Sequence, residues 1–124
     1  MPEQNKKALI LVADDQDDVA ASIAEVIELS TRWRAVSAKD GKTALRLALQ
    51  ERPDAALLDL DMPHLGGVEV AVALRSAIPR PAPLLIGVTA GPIDAVATDV
   101  FDAVLRKPLD FALLFQMLRR LAAA

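Results

Sequence analysis

Three carboxylates, a hydroxyl and an ammonium group stand at or just after the ends of short apolar runs in this sequence. Asp14 and Asp15 follow the run ALILVA, and Asp59 ends the run AALLD. Thr89 ends the run LLIGVT, and Lys107 follows AVLR. Burying a carboxylate costs several kcal/mol unless an opposite charge compensates it. These residues are therefore the first candidates for chemistry in the chain.

The residue types indicate what that chemistry is. Three carboxylates within a few ångströms repel one another by about 1 kcal/mol per pair in water, and by roughly 4 kcal/mol at a lower effective dielectric. Such a cluster needs a cation, and ligation by oxygen alone from few protein donors suits Mg²⁺. One carboxylate can also attack phosphorus and form an aspartyl phosphate, while a metal and a lysine neutralise the phosphoryl oxygens. The set predicts magnesium-dependent phosphoryl chemistry.

Strand and helix patterns alternate along the chain and bring these side chains together. Continuous apolar runs predict strands covered on both faces, and the segments between them carry apolar residues at helical spacing. Strict alternation implies an α/β fold with a doubly wound parallel sheet, whose carboxyl edge holds the functional site. The predicted strands are residues 8–13, 33–38, 55–60, 84–89 and 103–106, and a short helix is predicted within 93–101.

The composition excludes several classes of protein. The 124 residues fit one domain over 1–124, and the absence of cysteine excludes disulfides and thiolate chemistry. A net charge of −3 gives no electrostatic reason to expect nucleic-acid binding, which normally uses a basic face, and no apolar run is as long as a membrane span. We expect a soluble cytoplasmic domain that binds neither nucleic acid nor membrane.

The motifs ILVADD, ALLDLDMPHLGG, LLIGVTAG and VLRKPLD, taken in order, resemble the receiver domain of two-component response regulators, with its CheY-like fold. The resemblance covers essentially the whole chain and implies five strands in the order 2-1-3-4-5. It implies that Asp59 is the phosphoacceptor. It also implies that Asp14, Asp15 and Asp59 hold Mg²⁺ together with the backbone carbonyl of Asp61.

The same resemblance assigns the remaining site residues and the partners. Thr89 and Ala90 would lie against the phosphoryl group, with the Thr89 hydroxyl as the switch. Lys107 would pair with Asp59 and then with a phosphoryl oxygen, and Pro108 would form a turn, usually with a cis bond. The phosphoryl donor would be a sensor histidine kinase or a histidine phosphotransfer protein. Output would pass to an unidentified protein, with homodimerisation left open, and the domain would be a signalling phosphoacceptor rather than an enzyme.

Two features depart from the family pattern. Val104 stands where the family usually has an aromatic residue that moves inward when the threonine engages the phosphoryl group. The segment from Thr89 to Lys107 is about one helical turn shorter than the family leads us to expect. We therefore expect a shortened fourth helix region and a remodelled output surface, and Phe101 is too far along the chain to be taken as a substitute aromatic.

Two other functions remain open. A degenerate receiver would act as an unphosphorylated binding module, and a haloacid-dehalogenase-type phosphatase would use the Asp-x-Asp of DLDMP, although such enzymes need a longer chain. His64 is expected to be a solvated loop residue, and Gly66 and Gly67 are expected to form a turn with positive φ. The sequence fits either a stand-alone domain or one excised from a longer protein.

Overall fold

The computed structural model describes residues 8–16 and 18–123, and the side chains among these up to Arg119. The ends of the predicted 1–124 domain lie outside the described residues. Within them, five strands and five helices alternate along the chain. They are β1 (Leu9–Ala13), α1 (Val19–Ser30), β2 (Arg34–Ala38), α2 (Gly41–Glu51), β3 (Ala55–Asp59), α3 (Gly67–Ala77), β4 (Leu84–Thr89), α4 (Ala95–Val100), β5 (Ala103–Arg106) and α5 (Phe111–Ala123).

The strands form one parallel sheet in the order β2-β1-β3-β4-β5, as predicted. Every residue of β1 and β3 is buried, because helices cover both faces of the central strands. Leu11 and Ala13 point into a core shared with α2, α3 and α4, whereas Ile10 and Val12 point into a core shared with α1 and α5. This alternation fixes the register, since a slip of one residue would exchange the two faces.

The fourth helix is short, as the sequence indicated. It has six residues, and the Asp94 carboxylate caps it by accepting a hydrogen bond of 2.9 Å from the Ala97 N–H. Its end is tied to its neighbours. Arg75 of α3 donates to the Val100 carbonyl at 2.7 Å and pairs with Asp102 at 3.5 Å, and Asp102 accepts 2.8 Å from the N–H of Leu85, in β4. The segment between α4 and β5 is thus fastened to both α3 and β4.

Gly66 and Gly67, at the start of α3, differ from the expectation. Gly66 has a φ of −82°, and no described glycine has a positive φ, so the expected left-handed turn is wrong. His64, which is exposed, takes the left-handed conformation instead, with a φ of 66°. Gly67 is needed for space, because a Cβ there would lie 2.6 Å from the carbonyl oxygen of Asp59. The helix α3 can therefore begin directly against the end of β3.

None of the helices among the described residues is both long and apolar enough to cross a membrane.

Candidate functional site

The candidate site lies at the carboxyl edge of the sheet, where neighbouring strands end side by side. Asp14 follows β1, Asp59 is the last residue of β3, and Thr89 is the last residue of β4. Lys107 follows β5, and its N–H donates to the Thr89 carbonyl at 2.9 Å. The strand register brings residues far apart in sequence to one point, as the predicted topology required. Their chemical roles stay predictions.

The ammonium group of Lys107 bridges two buried carboxylates. Its Nζ lies 3.1 Å from Asp14 Oδ2 and 3.2 Å from Asp59 Oδ2. The side chains of Asp14 and Asp59 are only 4% and 3% exposed, whereas that of Lys107 is 23% exposed. The other carboxylate oxygens accept backbone hydrogen bonds, Asp14 Oδ1 from Gln16 at 2.9 Å and Asp59 Oδ1 from Asp61 at 3.0 Å. The buried charges are therefore partly compensated within the protein.

Burial shifts the acid–base properties of this pair. It raises the pKa of the Asp59 carboxyl, and the nearby charge of Asp14 adds to the rise, while hydrogen bonds from Asp61 and Lys107 oppose it without cancelling it. Burial acts to lower the pKa of Lys107, but hydrogen bonds to the two carboxylates outweigh it and leave that pKa raised. Lys107 is therefore a full positive charge at neutral pH, next to a carboxylate that burial makes more basic.

A third carboxylate completes an acidic cluster. Asp14, Asp15 and Asp59 each offer an oxygen, and these oxygens all lie within 4.8 Å of one another. Asp15 is exposed, so the cluster is open to solvent on one side. A set of carboxylate oxygens with an open side suits Mg²⁺, which keeps several of its waters. The donor set thus fits the metal that the sequence predicted.

Thr89 and Asp61 are joined in a way the sequence did not indicate. The Thr89 hydroxyl donates to Asp61 Oδ2 at 3.1 Å and accepts from the Gly91 N–H at 3.0 Å. The family resemblance assigns a role only to the backbone carbonyl of Asp61. The residue is exposed, but its carboxylate holds the threonine hydroxyl. Ala90, beside Thr89, is exposed and has no side-chain bulk to obstruct the site.

The turn after β5 has the expected geometry. The bond between Lys107 and Pro108 is cis. Pro108 also lines a mainly apolar cavity of about 330 Å³ that reaches Asp59 and Lys107, a feature that the sequence did not reveal. Its other walls come mainly from β1, α1 and the start of α5, including Val12, Val19, Ile23, Leu109 and Phe111.

Val104, which stands where the family usually has an aromatic residue, lies on the side of the sheet that α3 and α4 cover. Val104 pairs in register with Gly87 of β4 and is partly buried. Phe101 is 4% exposed, and two carbons of its ring lie 3.1 Å from where a Cβ on Gly87 would be. An aromatic ring is therefore already buried next to Val104, although it comes from a different position in the chain.

A family model described as "Response regulator receiver domain" matches residues 10–119. The transcriptional regulatory protein PrrA of Mycobacterium bovis is 48% identical over 67 residues, which is 54% of this chain and 28% of PrrA. The chain thus spans well under half the length of this curated relative.

Solved structures agree with the sequence comparisons. A CheY-like receiver domain from Methylobacillus flagellatus has a TM-score of 0.84 at 24% identity, covering 94% of this chain and 99% of its own. The receiver domain of the sensor histidine kinase PA1611 from Pseudomonas aeruginosa, which holds a magnesium ion in its active-site cleft, has a TM-score of 0.79 at 27% identity, covering 96% of this chain and all of its own. With its fold, its acidic edge and these similarities, the chain belongs to the response regulator receiver domain family.

Proposed function

We propose that this domain accepts a phosphoryl group on Asp59 from a phosphohistidine, with Mg²⁺ bound by Asp14, Asp15, Asp59 and the backbone carbonyl of Asp61. The observation that carries the proposal is the open cluster of three carboxylates with the Lys107 ammonium against two of them. When bound, the metal would neutralise charge on the phosphoryl oxygens.

The chain's own residues account for the transfer. A carboxylate oxygen of Asp59 attacks phosphorus, the bond from phosphorus to the donor imidazole breaks, and the electron pair leaves with the imidazole nitrogen. Lys107 is fixed by its two carboxylate contacts and stays charged, so it can pair with a phosphoryl oxygen once Asp59 is modified. Thr89, at the end of the neighbouring strand, supplies a hydroxyl to the new group, and Ala90 leaves room for it.

The partners follow from this chemistry. The donor is a sensor histidine kinase or a histidine phosphotransfer protein, and output passes through contact with another protein rather than through turnover of a substrate. An aspartyl phosphate adds nearly two negative charges and strong acceptor oxygens, enough to reorder neighbouring loops. We propose that residues 1–124 form one such domain, cytoplasmic, in contact with neither nucleic acid nor membrane.

The direct test is the intact mass of the protein after incubation with acetyl phosphate and Mg²⁺. We expect a gain of one phosphoryl group that disappears without Mg²⁺ and in Asp59→Asn. A gain retained in Asp59→Asn would place the phosphate elsewhere. No gain in the wild type, together with no Mg²⁺ binding, would favour the degenerate binding module, whereas continuous release of phosphate would favour a phosphatase.

We also propose that the output surface differs from the usual one. Val104 lacks the ring that the family moves, α4 is short, and Arg75 and Asp102 tie the following segment to α3 and β4. The test is Val104→Tyr, measured as binding to the output partner with and without phosphorylation. A change no larger than that of a substitution at the exposed Val72, on α3, would show that position 104 has no switch role.

A further inference from the structure

The hydroxyl of Thr89 is fully engaged in this structure. Thr89 is 2% exposed, and its hydroxyl has one proton to donate. That proton goes to Asp61 Oδ2 at 3.1 Å, while the hydroxyl oxygen accepts from the Gly91 N–H at 3.0 Å. A phosphoryl group on Asp59 can accept a hydrogen bond from Thr89 only if the proton leaves Asp61.

Asp61 is placed to control both residues. Its backbone N–H donates to Asp59 Oδ1 at 3.0 Å, and its carboxylate accepts from Thr89. A single loop residue thus contacts the proposed phosphoacceptor through its backbone and the proposed switch hydroxyl through its side chain. A charged acceptor forms a stronger hydrogen bond than a neutral one, so the loss of the bond to the carboxylate offsets part of what the threonine gains on bonding to a phosphoryl oxygen.

We infer that the Asp61 carboxylate is a positioning residue that holds the Thr89 hydroxyl away from the phosphoryl group and so opposes the phosphorylated state. This inference rests on the proposed function and adds a regulatory element to the same site. The competition is between two acceptors for one proton: the hydrogen bond to Asp61 breaks as the hydrogen bond to the phosphoryl oxygen forms. Removing the carboxylate should therefore favour the phosphoryl-bound state.

The test measures the affinity for beryllofluoride, a phosphoryl mimic, by isothermal titration calorimetry in Mg²⁺. We expect Asp61→Ala to lower the dissociation constant roughly two- to tenfold, the range of one net hydrogen bond. Asp61→Asn, a neutral acceptor, should give a smaller change in the same direction, and it serves if the alanine variant does not fold. Asp99→Ala, which removes an exposed acid from α4, controls for net charge and should leave the constant unchanged.

A double-mutant cycle identifies the route of the effect. If Asp61 acts through the threonine, the gain from Asp61→Ala should vanish in a Thr89→Val background. The inference would be overturned if Asp61→Ala still raised the beryllofluoride affinity in the Thr89→Val background, or raised it no more than Asp99→Ala does. A wild type that acquires neither beryllofluoride nor a phosphoryl group would refute the proposed function, and the inference with it. A wild type that acquires both, with no change on removing the Asp61 carboxylate, would refute the inference alone.

Discussion

Replacing Lys107 with methionine removes the positive charge that two buried carboxylates share. The ammonium lies 3.1 Å from Asp14 Oδ2 and 3.2 Å from Asp59 Oδ2, and methionine keeps much of the length of the side chain. Because those carboxylates are almost fully buried, water can replace the lost partner only in part. We expect Lys107→Met to lower the free energy of unfolding at pH 7 in buffer without Mg²⁺.

The size of the loss follows from the geometry. At an effective dielectric of about 20, one ion pair at this separation has a Coulomb energy of roughly 5 kcal/mol, much of which the cost of desolvating the ammonium offsets. Removing one member of a buried pair costs about 3–5 kcal/mol. The Lys107 side chain keeps 23% of its surface exposed, so water screens part of the interaction. We therefore expect Lys107→Met to lower the free energy of unfolding by about 3 kcal/mol, near the lower end of that range.

The loss should depend on pH in one direction. Burial already raises the folded-state pKa of Asp59 above its ordinary value of 3.8, and removing the ammonium raises it further. A carboxyl whose folded-state pKa is raised makes the protein less stable as the pH rises from the unfolded value through the folded one. The deficit of Lys107→Met relative to the wild type should therefore be largest near pH 7 and shrink on acidification towards the unfolded-state pKa.

The assay is urea unfolding followed by circular dichroism, at pH 7 and at a lower pH at which the wild type is still folded. Lys42→Met is a matched control, because Lys42 is exposed on α2 and the substitution is the same. A deficit at pH 7 no larger than that of the control would refute the assigned importance of the bridge. A difference in unfolding free energy that grows on acidification would show that the predicted direction of the pH dependence is wrong.

Three further outcomes are expected. Gly87→Ala should lower the free energy of unfolding by about 1–3 kcal/mol, because the new Cβ would lie 3.1 Å from the Phe101 ring. Gly91→Ala, where the nearest atom would be 3.7 Å away, should lower it less. Equal urea midpoints for the two variants would contradict this prediction. Without Mg²⁺, Asp59→Asn should be more stable than the wild type at pH 7, because burial raises the pKa of the replaced carboxyl. The advantage should fade as the pH approaches the ordinary pKa of 3.8, and a variant less stable at pH 7 would show that the charge is net stabilising. Mg²⁺ at about a hundred times its Kd should stabilise the wild type by about 2.7 kcal/mol in thermal unfolding. If the same Mg²⁺ concentration stabilises Asp15→Asn by as much, Asp15 is not a ligand.

The sheet could be predicted from the sequence because its central strands are buried on both faces. β4 and β5 have the predicted bounds, and the other three strands each differ from prediction by one residue at one end. The short α4 could also be predicted, because the segment between Thr89 and Lys107 is shorter than the family pattern leads us to expect. The strand order was predicted from the family resemblance, and the convergence of distant residues followed from the parallel topology.

Side-chain partners in loops could not be predicted in the same way. The contact between Asp61 and Thr89 depends on the path of the loop after β3, and at the far end of that loop Gly67 lies close to the last residue of the strand. Glycine pairs suggest a left-handed turn from local sequence, but at Gly67 the requirement is space against a distant backbone atom, and only the folded chain shows it. The ring of Phe101 over Gly87 is likewise a tertiary contact with no local pattern.

The burial of Asp59 serves stability and reactivity in opposite ways. A carboxylate at the end of a fully buried strand is costly, and the raised pKa of Asp59 shows that the Lys107 ammonium compensates the cost only in part. Under the proposed function, the uncompensated part would make the oxygen more basic, and therefore a better nucleophile towards phosphorus, than a solvated aspartate. Full compensation would stabilise the fold but weaken the nucleophile. Lys107 shares its charge between Asp14 and Asp59, an arrangement that, under the proposed function, would stabilise the fold while leaving the Asp59 oxygen basic enough to react.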